Sequence, residues 1–312
     1  MCIRDRFDPA RPTLLLNSHH DTVRPAASWT RDPYMPAIEG DRLYGLGSND
    51  AGASVVALTE AFLALRTREL PFNLLLALTA EEECMGEHGI RALLPELGRI
   101  DLAVVGEPTG MQAAAGERGL VVLDCTAHGR SGHAARGEGI NALYIALEDI
   151  ARLRGFRFER ESALLGPIGL AVTQIEAGTQ HNVVPDTCRF VVDIRTTDAY
   201  TNEETVELLR AAIRSEAVPR STRIRAVALD DHHPLMRAAR ATGRTAFVSP
   251  TTSDRTLMPF PALKMGPGES SRSHAADEYI RLAEIEDGIA VYMDYIEHLA
   301  KEYGWKTLGQ GI

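Results

Sequence analysis

His19 and Asp21 stand two residues apart, directly after the apolar run TLLLN at 13–17. On an extended backbone such a pair points to one side. A neutral imidazole can ligate a metal while a carboxylate orients its ring. Alone, an HxD is equally at home in an exposed loop. The segment GLGSND at 45–50 ends where a helical pattern begins. Its glycines permit a tight turn close to a ligand, and Asp50 reads either as a ligand or as a helix N-cap. A phosphate-binding loop is disfavoured, since the third glycine of GxGxxG is absent and no strand ends immediately before it. Glu81, Glu82 and Glu83 follow the apolar run at 72–79. Three adjacent carboxylates repel one another, so they form either an exposed acidic turn or a site compensated by a cation. Glu107 (GEPT) follows another apolar run, and His274 lies in the glycine-rich stretch GPGESSRSH. Two histidines and several carboxylates without thiolates suit Zn²⁺, Co²⁺ or Mn²⁺. One carboxylate shared by two ions makes a co-catalytic site, with ions about 3.5–4 Å apart.

The elements that must position these residues are read from periodicity. Runs at 13–17, 72–79 and 102–105 are strands of buried type, while 51–65 and 88–97 carry helical spacing. Alternating strands and helices predict a parallel α/β sheet, whose sites form at the carboxyl ends of its strands. After about residue 115 the pattern changes. Stretches 120–127, 170–175, 188–195 and 223–229 read as strands, and 141–153 and 202–215 as helices. That order predicts an α+β domain with one sheet face covered. A helical pattern resumes at Pro234, and 282–302 forms a long last helix. The expected organisation is an α/β domain of mostly parallel sheet (7–116 and 232–312) interrupted by an α+β domain (117–231).

Composition narrows the class. The 312 residues suggest two domains at roughly 150 residues each. No apolar run reaches the roughly 18 residues of a membrane span and no signal peptide opens the chain, so no membrane partner is expected. A net charge of −10 without a Lys/Arg cluster argues against nucleic acid. Cys2, Cys84, Cys125 and Cys188 are scattered, without CxxC, which fits a reduced cytoplasm.

As an ordered set, HxD, GxGSxD, EEE, GEPT and GPGxSxxSH resembles the M20 family of metallo-aminoacylases and peptidases, the family of acetylornithine deacetylase and succinyl-diaminopimelate desuccinylase. The likeness runs from about Leu14 to the last helix. It implies a catalytic domain and a lid through which homodimers form. It implies two divalent ions, Zn or Co/Mn, one held by His19, Asp50 and Glu107 and the other by Asp50, Glu83 and His274. Asp21 would orient His19. Glu82 would be the general base, taking a proton from the attacking water and delivering it to the leaving amine. The family usually has Asp where Glu81 stands, and its Asp50–Ala51 peptide is cis. In the lid, His133 would stabilise the oxyanion in the partner's site. Asn182 and Arg195 would hold a substrate carboxylate. Thr252 and Ser253, with Asp254, match a loop lining the substrate pocket. His20, His181, His232 and His233 receive no role.

The stretches LYGLGSNDAGAS, VGEPTGMQ, CTAHGRSGHAARGEGINAL and QHNVVPDTCRFVVDIR look most like the acetylornithine deacetylase branch. This implies hydrolysis of an N-acyl-L-amino acid in arginine biosynthesis, N-acetylornithine or an N-acyl-citrulline. A di- or tripeptidase is the alternative within the family. A non-catalytic metal- or ligand-binding relative is the alternative of another class. Domain closure is expected, with hinges at 116–119 and 229–234. The opening MCIRDR matches nothing in the family and points to a truncated or mis-assembled gene start.

Overall fold

The computed structural model describes residues 2–4 and 7–303. The chain divides into two compact units, one of Met1–Ala115, Leu229–Ser249 and Ser253–Ile312, the other of Gly116–Ala228 and Pro250–Thr252. The expectation about MCIRDR falls partly outside the described residues; Cys2–Arg4 form a short strand.

In the first unit, strands Thr13–His19, Asn73–Thr79 and Leu102–Val105 are buried at every position. Thr13–His19 lies between the other two, parallel to both. Alternate residues serve two cores. Leu14, Leu16, Leu74, Leu76, Leu102 and Val104 pack with residues of helices Ala53–Leu65 and Leu282–Tyr303. Leu15, Leu75, Ala77, Ala103 and Val105 pack with Ile90 and Leu97 of helix Ile90–Leu97. A strand covered on both faces has no polar side to show, which is why Leu14–Leu16, Leu74–Leu78 and Leu102–Val105 run apolar without alternation. Ala262–Lys264 adds a fourth parallel strand beside Leu102–Val105. Antiparallel strands flank this group: Cys2–Arg4 beside Asn73–Thr79, and Ala113–Glu117 beside Ala262–Lys264.

Two helices start later than their periodicity suggests, at Ala53 and Ile90. Asp50 and Ala51 have non-helical backbone. Residues 81–89 are held as a loop, where the Glu81 carboxylate accepts the His88 N–H at 2.8 Å. The three-residue strands Ala37–Glu39, Arg42–Tyr44 and Tyr279–Arg281, which periodicity does not reveal, form a separate antiparallel sheet.

The second unit is built on an antiparallel sheet ordered Gly169–Ala177, Thr187–Thr196, Gly119–His128, Glu216–Pro219. Its two central strands alternate buried with more exposed positions. Val121, Leu123, Phe190, Val192 and Ile194 meet Ala142, Ala146 and Leu153 of helix Ala142–Gly155 and Val206 and Leu209 of helix Asn202–Ala212. The strand expected at 223–229 is reduced to Val227–Ala228. The sheet's fourth strand is Glu216–Pro219, secured by the Arg220 guanidinium on Asp124 of the neighbouring strand. Among the described residues, no helix is long and apolar enough to cross a membrane.

Candidate metal centre

Four parallel strands deliver the candidate ligands from their carboxyl ends. His19 is the last residue of Thr13–His19. Glu82 and Glu83 follow Asn73–Thr79, Glu107 follows Leu102–Val105, and His274 follows Ala262–Lys264 by a longer loop. Asp50 sits in the turn Ser48–Gly52 before helix Ala53–Leu65, and its peptide bond to Ala51 is cis. His274 has a φ of 59°, a conformation costly for a residue with a side chain; it turns the ring toward the cluster. The two oxygens of Asp50 face two imidazoles: Oδ1 is 3.2 Å from His19 Nε2, and Oδ2 is 3.8 Å from His274 Nε2. His274 Nε2 also lies 3.0 Å from Glu83 Oε2. Around His19 Nε2, Glu107 Oε1 stands at 3.7 Å and Glu82 Oε2 at 4.0 Å. In two groups the ligand atoms all lie within 4.8 Å of one another, His19–Glu82–Glu107 and His19–Asp50–Glu83. Proximity alone therefore makes Glu82 as eligible a ligand as Glu107.

The electrostatics of this crowd are severe. Burial, reinforced by the charges of Glu107, Asp254 and Glu83, pushes the Glu82 carboxyl up to about 10. Burial and the Asp50 charge raise Glu83, and burial raises Glu107 against the counter-pull of His19. Burial would lower His19, but the neighbouring carboxylates of Asp21, Asp50 and Glu107 outweigh it and hold it well above the ordinary imidazole range. Glu107 Oε1 is buried with no hydrogen-bond partner among the described residues. Imidazole nitrogens, several carboxylates and an orphaned buried oxygen form a donor set that fits divalent cations, whose charge would reverse this repulsion.

Asp21 has a double role. Its Oδ1 lies 3.5 Å from His19 Nδ1, and its two oxygens also accept the backbone N–H groups of Glu82 (3.3 Å) and Glu83 (3.2 Å). It thus fixes the histidine and the adjacent glutamates together. Glu81, with its carboxylate on the His88 N–H, is turned to the loop instead. Three supporting residues were not singled out for these contacts. Asn49, fully buried, exchanges side-chain hydrogen bonds with the Glu269 backbone. Glu278 accepts three backbone N–H groups from the Asp50 turn. Asp254 accepts the Thr79 hydroxyl at 3.0 Å, and burial with the charge of Glu107 pushes it up to about 7. Their only sequence signal is a polar residue beside a motif, which a solvated turn gives equally well.

The remaining candidates are dispersed. His133, exposed, caps a short turn through the Ala135 N–H. It pairs with Val183, next to the exposed Asn182, in the two-residue ladder Gly132–His133 with Val183–Val184. Arg195 is elsewhere. Thr187 and Arg195 lie near opposite ends of the ten-residue strand Thr187–Thr196, about 25 Å apart at roughly 3.3 Å per residue. The hairpin bearing His133 and Asn182 adjoins the Thr187 end, where Gly129 N–H bonds to the Asp186 carbonyl. An extended strand therefore separates Asn182 and Arg195 of one chain. The Arg195 fork is engaged by Asp193, Nε at 2.8 Å and Nη2 at 3.2 Å. Ser253 is fully buried and Thr252 half-buried. Of the histidines without a role, His233 caps helix Pro234–Ala241 through the Leu235 N–H.

Comparison with known proteins is extensive. The profile of peptidase family M20/M25/M40 matches residues 15–298. A succinyl-diaminopimelate desuccinylase of Paracoccus denitrificans is 33% identical over 227 residues, covering 68% of this chain and 59% of that protein. An acetylornithine deacetylase of Yersinia pseudotuberculosis is 27% identical over 310 residues, covering 93% of this chain and 79% of that protein. Among solved structures, the YXEP protein of Bacillus subtilis, described as a dinuclear metal-binding peptidase of the M20 family, superimposes with a TM-score of 0.69 at 16% identity, covering 96% of this chain and 84% of that one.

Proposed function

Since the chain belongs to peptidase family M20/M25/M40, whose relatives named above include a desuccinylase and a deacetylase, we propose that it hydrolyses the amide bond of an N-acyl-L-amino acid with two divalent cations. The observation that carries this reading is Asp50, whose two oxygens face two imidazoles amid three further carboxylates. His19, Asp50 and Glu107 would hold one ion, and Asp50, Glu83 and His274 the other, Zn²⁺ or in its place Co²⁺ or Mn²⁺. When bound, they would polarise the acyl carbonyl and lower the pKa of the attacking water. Glu82 accepts the water's proton and delivers it to the nitrogen as the C–N bond breaks, releasing a carboxylic acid and an amine. Asp21 holds His19 and the Glu82–Glu83 backbone in register.

The proposed substrates are N-acetylornithine, an N-acyl-citrulline and N-succinyl-diaminopimelate, which share an acyl amide beside a carboxylate. The likeness to a structure described as a peptidase supports short peptides as the second reading. The test is amine release from these compounds and a panel of dipeptides by metal-free protein reconstituted with Zn²⁺ or Co²⁺. Release from one of the N-acyl amino acids is expected. Release from peptides alone would replace the proposal with the peptidase reading, and no release from any compound would sink both.

We further propose a homodimer through the second unit, acting as the lid, in the cytoplasm. Its sheet ends in strand Gly169–Ala177, which leaves Ile175 and Val172 exposed, and helix Ala142–Gly155 leaves Tyr144 and Leu147 exposed. The separation of Arg195 from His133 and Asn182 supports a site assembled from two chains, with His133 stabilising the oxyanion and Asn182 and Arg195 binding the carboxylate from different copies. Thr252 and Ser253 would line the pocket on the same reading. Mixing a His133→Ala chain with a Glu82→Gln chain should regain activity, because one site in each mixed dimer keeps both groups. If the mixture is as inactive as its parents, His133 acts within its own chain.

A further inference from the structure

We infer that Glu278 is the positioning residue for Asp50: its buried carboxylate fixes the backbone of the turn at 47–50, so that the two Asp50 oxygens meet two different imidazoles. One oxygen, Oε2, accepts the Gly47 N–H at 3.0 Å. The other, Oε1, accepts the N–H groups of Asn49 at 2.9 Å and Asp50 at 2.8 Å. Gly47 has a φ of 77°, in the left-handed region that glycine tolerates. Backbone N–H groups that converge in this way form an anion-binding hollow, and Glu278, only 3% exposed, supplies the anion from within the chain. Hydrogen bonds to an ionised acceptor are stronger than neutral ones.

The main chain of Glu278 does related work. Its carbonyl accepts the Gly45 N–H at 3.1 Å, and the strand that follows, Tyr279–Arg281, pairs with Arg42–Tyr44. One residue therefore grips the turn at both ends. The preceding residue, Asp277, accepts the N–H groups of Thr30 and Arg31 and the Thr30 hydroxyl. The Asn49 side chain ties the same turn to Glu269. The segment 269–278 thus carries His274 and, through Glu278, sets Asp50. The spacing between these two groups is fixed by one short stretch of chain.

This inference rests on the proposed two-metal reading and adds to it a residue whose own carboxylate is occupied by amides. The test is titration of the metal-free full-length protein with Co²⁺, followed by visible absorption and calorimetry, for the wild type, Glu278→Gln and Glu278→Asp. The glutamine keeps the shape but sets an NH₂ group against the amide donors. In Glu278→Gln the second equivalent of Co²⁺ should bind roughly 10–100-fold more weakly, while circular dichroism stays near wild type and unfolding stays cooperative at a lower midpoint. At limiting Co²⁺ its kcat should fall with KM unchanged. Glu278→Asp keeps the charge and should recover part of the affinity. If the titration of Glu278→Gln superimposes on the wild type, the inference is overturned. It is overturned equally if both variants fail to fold, since Glu278 would then serve the fold rather than the site. A wild-type protein that takes up no Co²⁺ would refute the metal reading itself, and the inference with it, before any variant is compared.

Discussion

Glu82→Gln is expected to lower kcat on an N-acyl amino acid by roughly 10²–10⁴-fold, the usual contribution of a positioned general base, while both metal equivalents still bind. The substitution preserves volume and removes only the ability to take a proton. Of the three consecutive glutamates, Glu81 has its carboxylate on the His88 N–H and Glu83 is engaged by His274. Glu82 alone is buried beside His19 without a hydrogen bond to it, at 4.0 Å. Metal analysis alongside the assay separates the two roles its position allows. A variant that loses an ion would make Glu82 a ligand, as its closeness to His19 and Glu107 permits. A variant with both ions and full activity would place the base elsewhere.

Asp50→Asn is expected to remove both ions on dialysis and to abolish hydrolysis at any metal concentration that does not precipitate the protein. A directly coordinating carboxylate shared by two ions should cost more than the roughly 10–100-fold typical of outer-shell partners. Asp50 approaches His19 at 3.2 Å with one oxygen and His274 at 3.8 Å with the other. The fold should survive. The Asp50 charge also repels Glu83 and Glu107, so its removal relieves strain while it forfeits the contact with His19. Elemental analysis of the dialysed protein and an unfolding curve check both halves of this expectation. Wild-type metal content with wild-type kcat would show that no ligand is shared at this position.

The buried strands were readable because they are covered on both faces: Leu14 and Leu15 serve different cores, and no polar position interrupts the run. The candidate ligands were legible as a set because parallel strands put their carboxyl ends on one side. Tyr279–Arg281 is too short for any period to register, and its partner lies more than 200 positions away. Ala113–Glu117, with the sequence AAAGE, has little intrinsic strand preference and is a strand through its neighbours. Glu278 carries no local signal, since nothing near it in the sequence says that three amides point at it. The sequence holds no sign that an extended strand separates Asn182 from Arg195.

Gly86 and Glu81 pack as a single unit. A side chain at 86 would collide with the Glu81 carboxylate folded over it, and Glu81 itself holds a φ of 61°. Shortening the side chain at 81 would not admit one at 86, because the Glu81 Cβ already stands 2.7 Å from where a Cβ at 86 would lie. Any side chain at 86 would have to displace the backbone at 81, and that displacement would carry Glu82 and Glu83, the next residues along the chain, out of their places.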